Sequence, residues 1–282
     1  MIIKVLSENT SISEKLSCEH GLSLYIETVN HRLLFDTGAS GLFAENAVKL
    51  GVDLKKVDTV IISHGHYDHG GGLRTFLDIN KNAKVYFQEK AFEKHYSNRS
   101  GGEKAYIGLD EALLTNDRFI FCTDRLKIDD ELELFSGVKA EILVPSGNAD
   151  LFKKTGDIFI QDDFAHEQNL IINEGNITLL IAGCAHNGII NIVGQFNKNN
   201  GHMPDYVLGG FHLYSKGTKQ NEAPDMVDKI GKFLLETNSK YYTCHCTGME
   251  SYNRLKAVMR EKIDYISTGN QLGINSQGDK KQ

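Results

Sequence analysis

Several features that define large protein classes are absent from this sequence. Its 282 residues include no tryptophan and only 3 prolines, and no apolar run approaches the roughly 20 residues of a membrane-spanning helix. The 5 cysteines are an odd number scattered over a long chain, which argues against a disulfide scaffold. The 31 basic residues are outnumbered by 37 acidic ones, so the basic surface typical of nucleic-acid-binding proteins is missing. These absences favour a globular protein that acts on a small molecule.

The beginning of the chain predicts no export. The first residues, MIIKVLSE, become polar too early for a signal peptide. Together with the cysteine usage, this predicts a cytoplasmic protein that contacts neither a membrane nor nucleic acid. No feature of the sequence indicates an oligomeric state.

Short apolar, β-branched runs alternate with helix-like segments along the chain. The first half is richer in strands joined by short turns, and the second half alternates strands with helices. This pattern predicts an α/β (α+β) catalytic domain at residues 1–269, followed by a polar tail at 270–282. Residues 90–118 are rich in Lys, Glu, Asn, Ser and Gly and fit no strong element, so we expect them to form a cap or lid insertion.

The run HGHYDH at residues 64–69 follows a short apolar strand and precedes three glycines. His64 and His66 are two residues apart, so in an extended segment their imidazoles point the same way and can share one ion. Asp68 and His69 follow as the chain turns and can reach a second ion, while the glycines permit a tight turn. The alternative is a polar loop that only caps a strand, but this spacing of donors favours a metal centre.

This run matches the His-x-His-x-Asp-His hallmark of the metallo-β-lactamase superfamily, which the sequence resembles. The resemblance implies a four-layer αββα sandwich that carries one or two metal ions at the edge between its sheets. It also implies a role for Asp36, in the run FDTG at residues 35–38. Taken alone this is a common turn, but in the family its carboxylate supports the metal loop by accepting an imidazole N–H and fixing the tautomer.

Two further histidines follow apolar strands and lead into helix-like segments. His186 lies at the mouth of one strand, where a metal could use it, and His245 fits the last histidine ligand of the superfamily. For each, the alternative is a histidine held by the backbone at a helix start. Cys184 stands where many relatives carry a bridging aspartate. Either its thiolate binds metal, or it is a small buried residue and one ion is held weakly.

The remaining histidines and cysteines give weaker signals. His212 follows a strand and two glycines, and we expect it to be an acid, a substrate contact, an extra ligand or a structural residue. His20 and His166 are weaker candidates for the site. Strand-like alternation around His245 would point both neighbouring cysteines away from it. Three histidines lie in polar stretches and are expected at the surface: His31, His95 and His202.

Four runs resemble one branch of the superfamily, the group named after the archaeal dihydropterin synthase-like enzyme. These runs are EHGLS (19–23), GCAHNG (183–188), GGFHL (209–213) and CHCTG (244–248). The similarity extends from about residue 5 to residue 269. It implies either a metal-dependent hydrolase or a transferase that joins a dihydropterin methyl diphosphate to β-ribofuranosylaminobenzene 5′-phosphate and releases pyrophosphate.

Our first hypothesis is hydrolysis of a small phosphorylated or ester substrate by metal-bound hydroxide, since divalent ions lower the pKa of bound water. Asp68 would hold metal and orient the hydroxide, and His212 would serve as acid or substrate contact. The transferase, with a pterin-like substrate, is the alternative. An oxygen-binding di-iron protein is a third hypothesis, but its carboxylate-rich ligands and flavin partner are not found here.

The types of ligand in the sequence do not identify a single metal. Imidazole and carboxylate donors suit zinc, which we expect first, and they also suit manganese and iron. Magnesium is less natural with so much imidazole. We expect two divalent ions.

Overall fold

Two β-sheets pack face to face and helices cover both outer faces in the computed structural model, which describes residues 1–99, 101–275 and 280–281. The strands are β1 (Ile2–Ser7), β2 (Ser23–Glu27), β3 (Arg32–Phe35), β4 (Thr59–Ile61), β5 (Lys84–Gln88), β6 (Lys94–Asn98), β7 (Lys104–Tyr106), β8 (Phe119–Cys122), β9 (Arg125–Lys127), β10 (Leu132–Ser136), β11 (Leu151–Thr155), β12 (Ile158–Gln161), β13 (Gln168–Glu174), β14 (Ile177–Ile181), β15 (Tyr206–Gly209), β16 (Tyr214–Ser215), β17 (Gln220–Asn221), β18 (Lys240–Thr243), β19 (Ile263–Tyr265), β20 (Gln271–Gly273) and β21 (Lys280–Lys281). The α-helices are α1 (Leu42–Lys49), α2 (Tyr67–Gly70), α3 (Leu73–Ile79), α4 (Ile189–Asn200), α5 (Pro224–Glu236) and α6 (Met249–Met259).

The first sheet has the strand order β21-β20-β1-β2-β3-β4-β5-β8, and the second has the order β19-β18-β15-β14-β13-β10-β9. Their apolar residues alternate between two environments. Leu24 and Ile26 of β2 belong to the core between the sheets, whereas Tyr25 packs in the cluster that includes α1 and α3. In the second sheet Leu170 faces the inner core and Ile171 faces α4, α5 and α6. This period of two produces four layers, and the predicted αββα sandwich is confirmed.

Parallel pairing places the motif segments at one edge of the sandwich. β14, β15 and β18 are parallel neighbours, so the segments that follow them lie side by side. β4 is parallel to β3 and β5 in the facing sheet, and residues 62–69 follow it. The carboxyl ends of these four strands therefore carry the motif histidines towards a common site.

A small four-stranded sheet with the order β12-β11-β6-β7 lies outside the two main sheets. Two of its strands, β6 and β7, lie within residues 90–118, where the sequence shows no strong element. Their partner β11 is half-buried and β12 is exposed, so no alternating apolar pattern marks them. That this region acts as a cap or lid stays a prediction.

The chain continues in the first sheet beyond residue 269, because β20 pairs antiparallel with β1. Of the predicted polar tail, residues 276–279 and 282 lie outside the described residues. No helix in the described part of the chain is long and apolar enough to cross a membrane.

Candidate metal centre

Three buried imidazoles converge where the two sheets meet. His64 and His66 come from the segment after β4, and His186 comes from the segment after β14. One ring nitrogen of each lies within 4.8 Å of the corresponding nitrogen of the other two. Nε2 of His64 and Nε2 of His186 are buried and have no hydrogen-bond partner among the described residues. Buried polar atoms without partners are costly, so this arrangement is suited to an ion that binds their lone pairs.

The three imidazoles are neutral in the absence of metal. Burial, and then the neighbouring imidazoles, lower the pKa of His64 and of His186 well below the ordinary histidine value. Burial also lowers the pKa of His66 in the same direction, followed by the imidazoles of His166 and His95. Neutral imidazole is the form that ligates metals, so the lone pairs are available without a proton having to leave.

Hydrogen bonds fix which nitrogen of His64 and His69 carries the proton. The hydroxyl of Ser63 donates to Asp36 Oδ2 at 2.8 Å, so it can only accept from Nδ1 of His64, 2.8 Å away. Nδ1 of His69 donates to the same Asp36 oxygen at 2.6 Å. In both rings Nδ1 therefore carries a proton, and Nε2 is the nitrogen left for a metal. Asp36 thus holds two of the motif imidazoles in the tautomer that a metal requires.

His186 and His245, which lie far from residues 64–69 in the sequence, are each held by an asparagine and a glutamate. Asn148 donates from Nδ2 to the carbonyl of His186 at 2.8 Å, which orients its amide so that Oδ1 accepts from Nδ1 of the same histidine at 3.1 Å. Glu167 accepts the backbone N–H of His186 at 2.6 Å. His186 is therefore held through both its backbone and its ring, with Nε2 left free.

His245 is held in the same way by residues near the start of the chain. Asn9 donates from Nδ2 to the carbonyl of His245 at 3.2 Å and accepts from its Nδ1 at 2.8 Å. The buried carboxylate of Glu8 accepts the backbone N–H of His245 at 2.6 Å. His245 has a φ of 52°, a left-handed conformation that costs energy in a non-glycine residue, and these hydrogen bonds stabilise it. The sequence patterns pointed to none of these four supporting residues.

A second group of donors lies beside the three-histidine group. Oδ2 of Asp68 lies 3.4 Å from Nε2 of His245 and 4.0 Å from Nε2 of His69. Nε2 of His69 in turn lies 3.2 Å from Nε2 of His245 and 3.1 Å from Sγ of Cys184. Burial raises the pKa of Asp68, but the neighbouring imidazoles of His20, His245 and His69 lower it well below the ordinary value, so the carboxylate is charged. A carboxylate, two imidazoles and a thiol suit a second divalent cation.

His20 joins this group as a hydrogen-bond donor. The oriented amide of Asn9 donates from Nδ2 to Nδ1 of His20 at 3.2 Å, which leaves the proton of a neutral His20 on Nε2. That nitrogen lies 3.2 Å from Oδ2 of Asp68. His20 therefore orients the Asp68 carboxylate from the side of the pocket.

The cysteines and His212 complete the wall of the site. Residues His245–Thr247 form a 3-10 turn, so the alternation of a strand does not apply to them. The expectation that both flanking cysteines point away from His245 is therefore wrong for Cys246. Donor atoms of Cys184, His245 and Cys246 lie within 4.8 Å of one another. The ring of His212 lies 4.2 Å from that of His186, and neither of its nitrogens has a partner among the described residues.

One expectation about the remaining histidines is wrong. His95 was placed at the surface because its surroundings in the sequence are polar, but its exposed fraction is 0%. It lies on β6, which pairs with β11, and its ring packs 3.9 Å from that of His166. Asp162 contacts both rings. No local pattern marks this group, because its members come together only through the small sheet.

The site opens into a pocket whose rim is formed by two loops. Its lining includes Tyr67, Arg99, Leu151, His212 and Lys216, in addition to the donors described above. The loops approach each other closely, since a Cβ at position 217 would lie 3.4 Å from the carbonyl of Asn98. The pocket therefore combines a floor of metal-type donors with two cationic side chains near its rim.

Comparisons with known proteins agree with this geometry. A family model described as the metallo-beta-lactamase superfamily matches residues 16–187. An uncharacterized protein of Methanocaldococcus jannaschii is 30% identical over 279 residues, which cover 97% of this chain and 100% of that protein. The 7,8-dihydropterin-6-methyl-4-(beta-D-ribofuranosyl)-aminobenzene-5'-phosphate synthase of the same organism is 26% identical over 89% of this chain and 88% of its own length. The crystal structure of Tm1679, described as a metal-dependent hydrolase of the beta-lactamase superfamily, has a TM-score of 0.83 and 31% identity over 98% of this chain and 100% of its own.

Proposed function

The chain belongs to the metallo-beta-lactamase superfamily, and on that premise we propose that it is a metal-dependent hydrolase of a small phosphorylated or ester substrate. One observation carries the proposal. Hydrogen bonds from Nδ1 of four histidines turn their Nε2 atoms towards one buried cluster: His64, His69, His186 and His245. A cluster that served only packing would have no reason to leave Nε2 of His64 and Nε2 of His186 buried without a hydrogen-bond partner among the described residues.

The residues present fit two divalent ions. His64, His66 and His186 would hold one, and Asp68, His69 and His245 would hold the other, with Cys184 beside it. We propose zinc, which accepts imidazole, carboxylate and thiolate donors alike; manganese and iron are the alternatives. When bound, such ions lower the pKa of water and so supply a nucleophile at neutral pH.

The charges near the rim support an anionic substrate. Arg99 and Lys216 line the pocket, and neither has a carboxylate within ion-pair distance in the part of the chain that the structure describes. They lie in two neighbouring loops that line the pocket, in a protein whose formal net charge is -6. Two unpaired cations near a metal-type floor suit a phosphoryl or carboxylate group of the substrate.

Two side chains are placed to assist the reaction. The charged Asp68, oriented by His20, faces the pocket and can orient an attacking water through a hydrogen bond. His212 lines the same pocket with both ring nitrogens free of partners among the described residues. It can therefore donate a proton to a leaving group or hold the substrate.

The test combines metal analysis with a substrate screen. Protein purified without added metal is analysed for bound elements and assayed against phosphodiesters, phosphomonoesters and lactones. We expect about two ions per chain and hydrolysis of at least one phosphorylated compound. His66→Ala should lose metal and activity together, while His202→Ala, a change in an exposed histidine, should lose neither. Activity that persists in a metal-free His66→Ala protein would contradict the proposal.

The transferase is a second candidate because the synthase relative matches 89% of this chain. The same donors could bind a diphosphate leaving group, and the rim cations could bind the 5′-phosphate of the aromatic partner. Incubation with dihydropterin methyl diphosphate and β-ribofuranosylaminobenzene 5′-phosphate tests it. Release of pyrophosphate only when both compounds are present would favour the transferase over the hydrolase.

A further inference from the structure

Three buried ionisable side chains lie beside His66 and take no part in the chemistry proposed above. His95 belongs to β6, Asp162 follows β12, and His166 precedes β13. Their exposed fractions are 0%, 4% and 1%. Such a group is expensive to bury unless every charge and proton in it is paired.

The proton positions in this group follow from its hydrogen bonds. Nδ1 of His95 lies 2.7 Å from Oδ2 of Asp162 and must donate to that carboxylate. Nδ1 of His166 accepts the backbone N–H of Gly65 at 2.9 Å, so the proton of a neutral His166 sits on Nε2, 3.5 Å from Asp162 Oδ2. Oδ1 of Asp162 accepts the N–H of Phe164 at 2.9 Å. Burial raises the pKa of Asp162, but the hydrogen bonds from His166 and His95 lower it far below the ordinary value.

These protons argue against a third metal ion. Donor atoms of His66, His95, Asp162 and His166 do lie within 4.8 Å of one another. However, His166 uses its lone pair on a backbone N–H, and both oxygens of Asp162 already accept hydrogen bonds. His95 and His66 alone offer too few ligands for a buried divalent ion, which takes about four.

Two rings still need a partner: the lone pair of His95 has no donor, and the N–H of His66 has no acceptor. Nε2 of His95 is buried and has no hydrogen-bond partner among the described residues, and the same holds for Nε2 of His66. Nε2 of His166 makes no hydrogen bond of good geometry either, but it faces the carboxylate of Asp162 at 3.5 Å. When one nitrogen of His66 binds metal, the other must carry a proton, and a ligating imidazole needs an acceptor for that proton. The rings of His66 and His95 lie 5.5 Å apart between centroids and are nearly perpendicular, at 78°.

We propose that Asp162 holds His95 so that Nε2 of His95 accepts the proton of the non-ligating nitrogen of His66, which fixes the nitrogen that His66 presents to the metal. Asp162 and His95 are then positioning residues, and His166 completes the pairing of the carboxylate. Gly65 makes room for them, because a Cβ there would lie 2.8 Å from Nε2 of His95 and 2.2 Å from the carbonyl of Ala91. The inference rests on the metal centre of the proposed function and not on its substrate.

Metal affinity separates this role from packing. The affinity of Asp162→Asn for zinc is measured by competition with a chromophoric chelator and compared with Asp163→Asn. Asp163 is the adjacent residue, carries the same charge, and has a side chain that is 58% exposed and paired with Lys153. We expect Asp162→Asn to bind zinc about 10- to 100-fold more weakly than the native protein, and Asp163→Asn to bind it as the native protein does. Equal affinities for the two variants would overturn the proposal.

A spectroscopic measurement on the native protein covers the case in which Asp162→Asn does not fold. Long-range ¹H–¹⁵N correlation spectra of the zinc-loaded chain report the protonated nitrogen of each histidine. We expect His95 to be protonated on Nδ1, His166 on Nε2, and His66 to have one protonated and one zinc-bound nitrogen. A zinc-bound nitrogen in His95 would overturn the proposal. So would a third zinc ion that the native protein binds and that His95→Gln lacks while it still binds the other two. If Asp162→Asn weakens zinc binding but no substrate is turned over, only the proposed function fails.

Discussion

The Nε2 atoms of His69 and His245 lie 3.2 Å apart inside the candidate metal centre. Nδ1 of His69 donates to Asp36, and Nδ1 of His245 donates to Asn9, so if both rings were neutral each Nε2 would direct a lone pair at the other. Two facing lone pairs repel unless a proton or a cation lies between them. In the metal-free protein it is a proton: burial lowers the pKa of His69, but the charge and the hydrogen bond of Asp36 raise it to about 9.

Metal binding should therefore release a proton from this pair. At neutral pH His69 is protonated in the metal-free chain, because its pKa of about 9 lies above the solution pH. A cation that binds its Nε2 must displace that proton, so the apparent affinity should rise as the pH approaches 9. Calorimetry of zinc binding in two buffers of different ionisation enthalpy measures the release, which His69→Gln should reduce by about one proton. Identical heats in the two buffers would contradict this expectation.

Cys184 should bind the second ion as a thiolate. Its Sγ lies 3.1 Å from Nε2 of His69, and burial raises the pKa of its thiol well above the ordinary value. Only a bound cation would deprotonate it. Cobalt(II)-substituted protein should show a thiolate-to-metal charge-transfer band that Cys184→Ser abolishes. Cys122→Ser, a change at a buried cysteine in the core between the sheets, should leave the band intact. A native cobalt protein without the band would mean that Cys184 is only a small buried residue.

His31 should make stability depend on pH. It contacts Asp58, which directly precedes β4 of the first sheet, at 3.0 Å, and Asp129, in the turn between β9 and β10 of the second sheet, at 2.7 Å, so it links the two sheets. Burial lowers the pKa of His31, but hydrogen bonds and charges from the two aspartates raise it above the ordinary value. Because the pKa of His31 is higher in the folded than in the unfolded protein, its protonation stabilises the fold. This stabilisation is complete below the unfolded pKa of roughly 6.5 and is lost as the pH rises through the folded pKa.

The measurement is thermal denaturation of metal-free protein at an acidic and at an alkaline pH. His31→Gln should lower the midpoint more at the acidic pH, where His31 is charged in the native protein. His202→Gln, at an exposed position, should leave the midpoint unchanged at both. The same loss for His31→Gln at both pH values would show that its charge has no part in linking the sheets.

The core between the sheets should be sensitive to cavities. Leu170 of β13 is fully buried there, against residues of both sheets. Leu170→Ala should lower the free energy of unfolding by about 2–5 kcal/mol, since it removes buried methyl groups and leaves a cavity. Leu235→Ala, at a position that is 40% exposed on α5, should cost less than about 0.5 kcal/mol. Denaturant titration of both variants measures the free energy of unfolding. An equal loss in the two variants would show that Leu170 is not part of a tightly packed interface.

Most of the fold could be predicted because its signal is local. Short apolar, β-branched runs identify strands such as β2 and β13, and amphipathic periodicity identifies helices such as α5. The strands β6, β7, β11 and β12 were not predicted, because their sequences show no regular alternation of apolar and polar side chains. They are stabilised by pairing between segments far apart in the chain.

The candidate site divides in the same way. Histidines that end apolar strands, such as His64 and His186, are recognisable from spacing because their strand and their donor are neighbours in the chain. Asn9 could not be recognised, since it supports His245, which lies 236 residues away. His95 was misplaced for the same reason: polar neighbours in sequence say nothing about the pairing that buries it beside Asp162.

The sequence by itself determined the pattern of strands and helices and the run of donors from His64 to His69, because periodicity and short spacing are properties of adjacent residues, whereas the four layers were implied by the family resemblance. Only the tertiary structure decided which nitrogen of each imidazole is free and that Cys246 turns towards the site. It alone placed a buried carboxylate and His95 beside His66. The physical reason is that a proton's position depends on the partner it meets, and in this protein those partners come from distant strands.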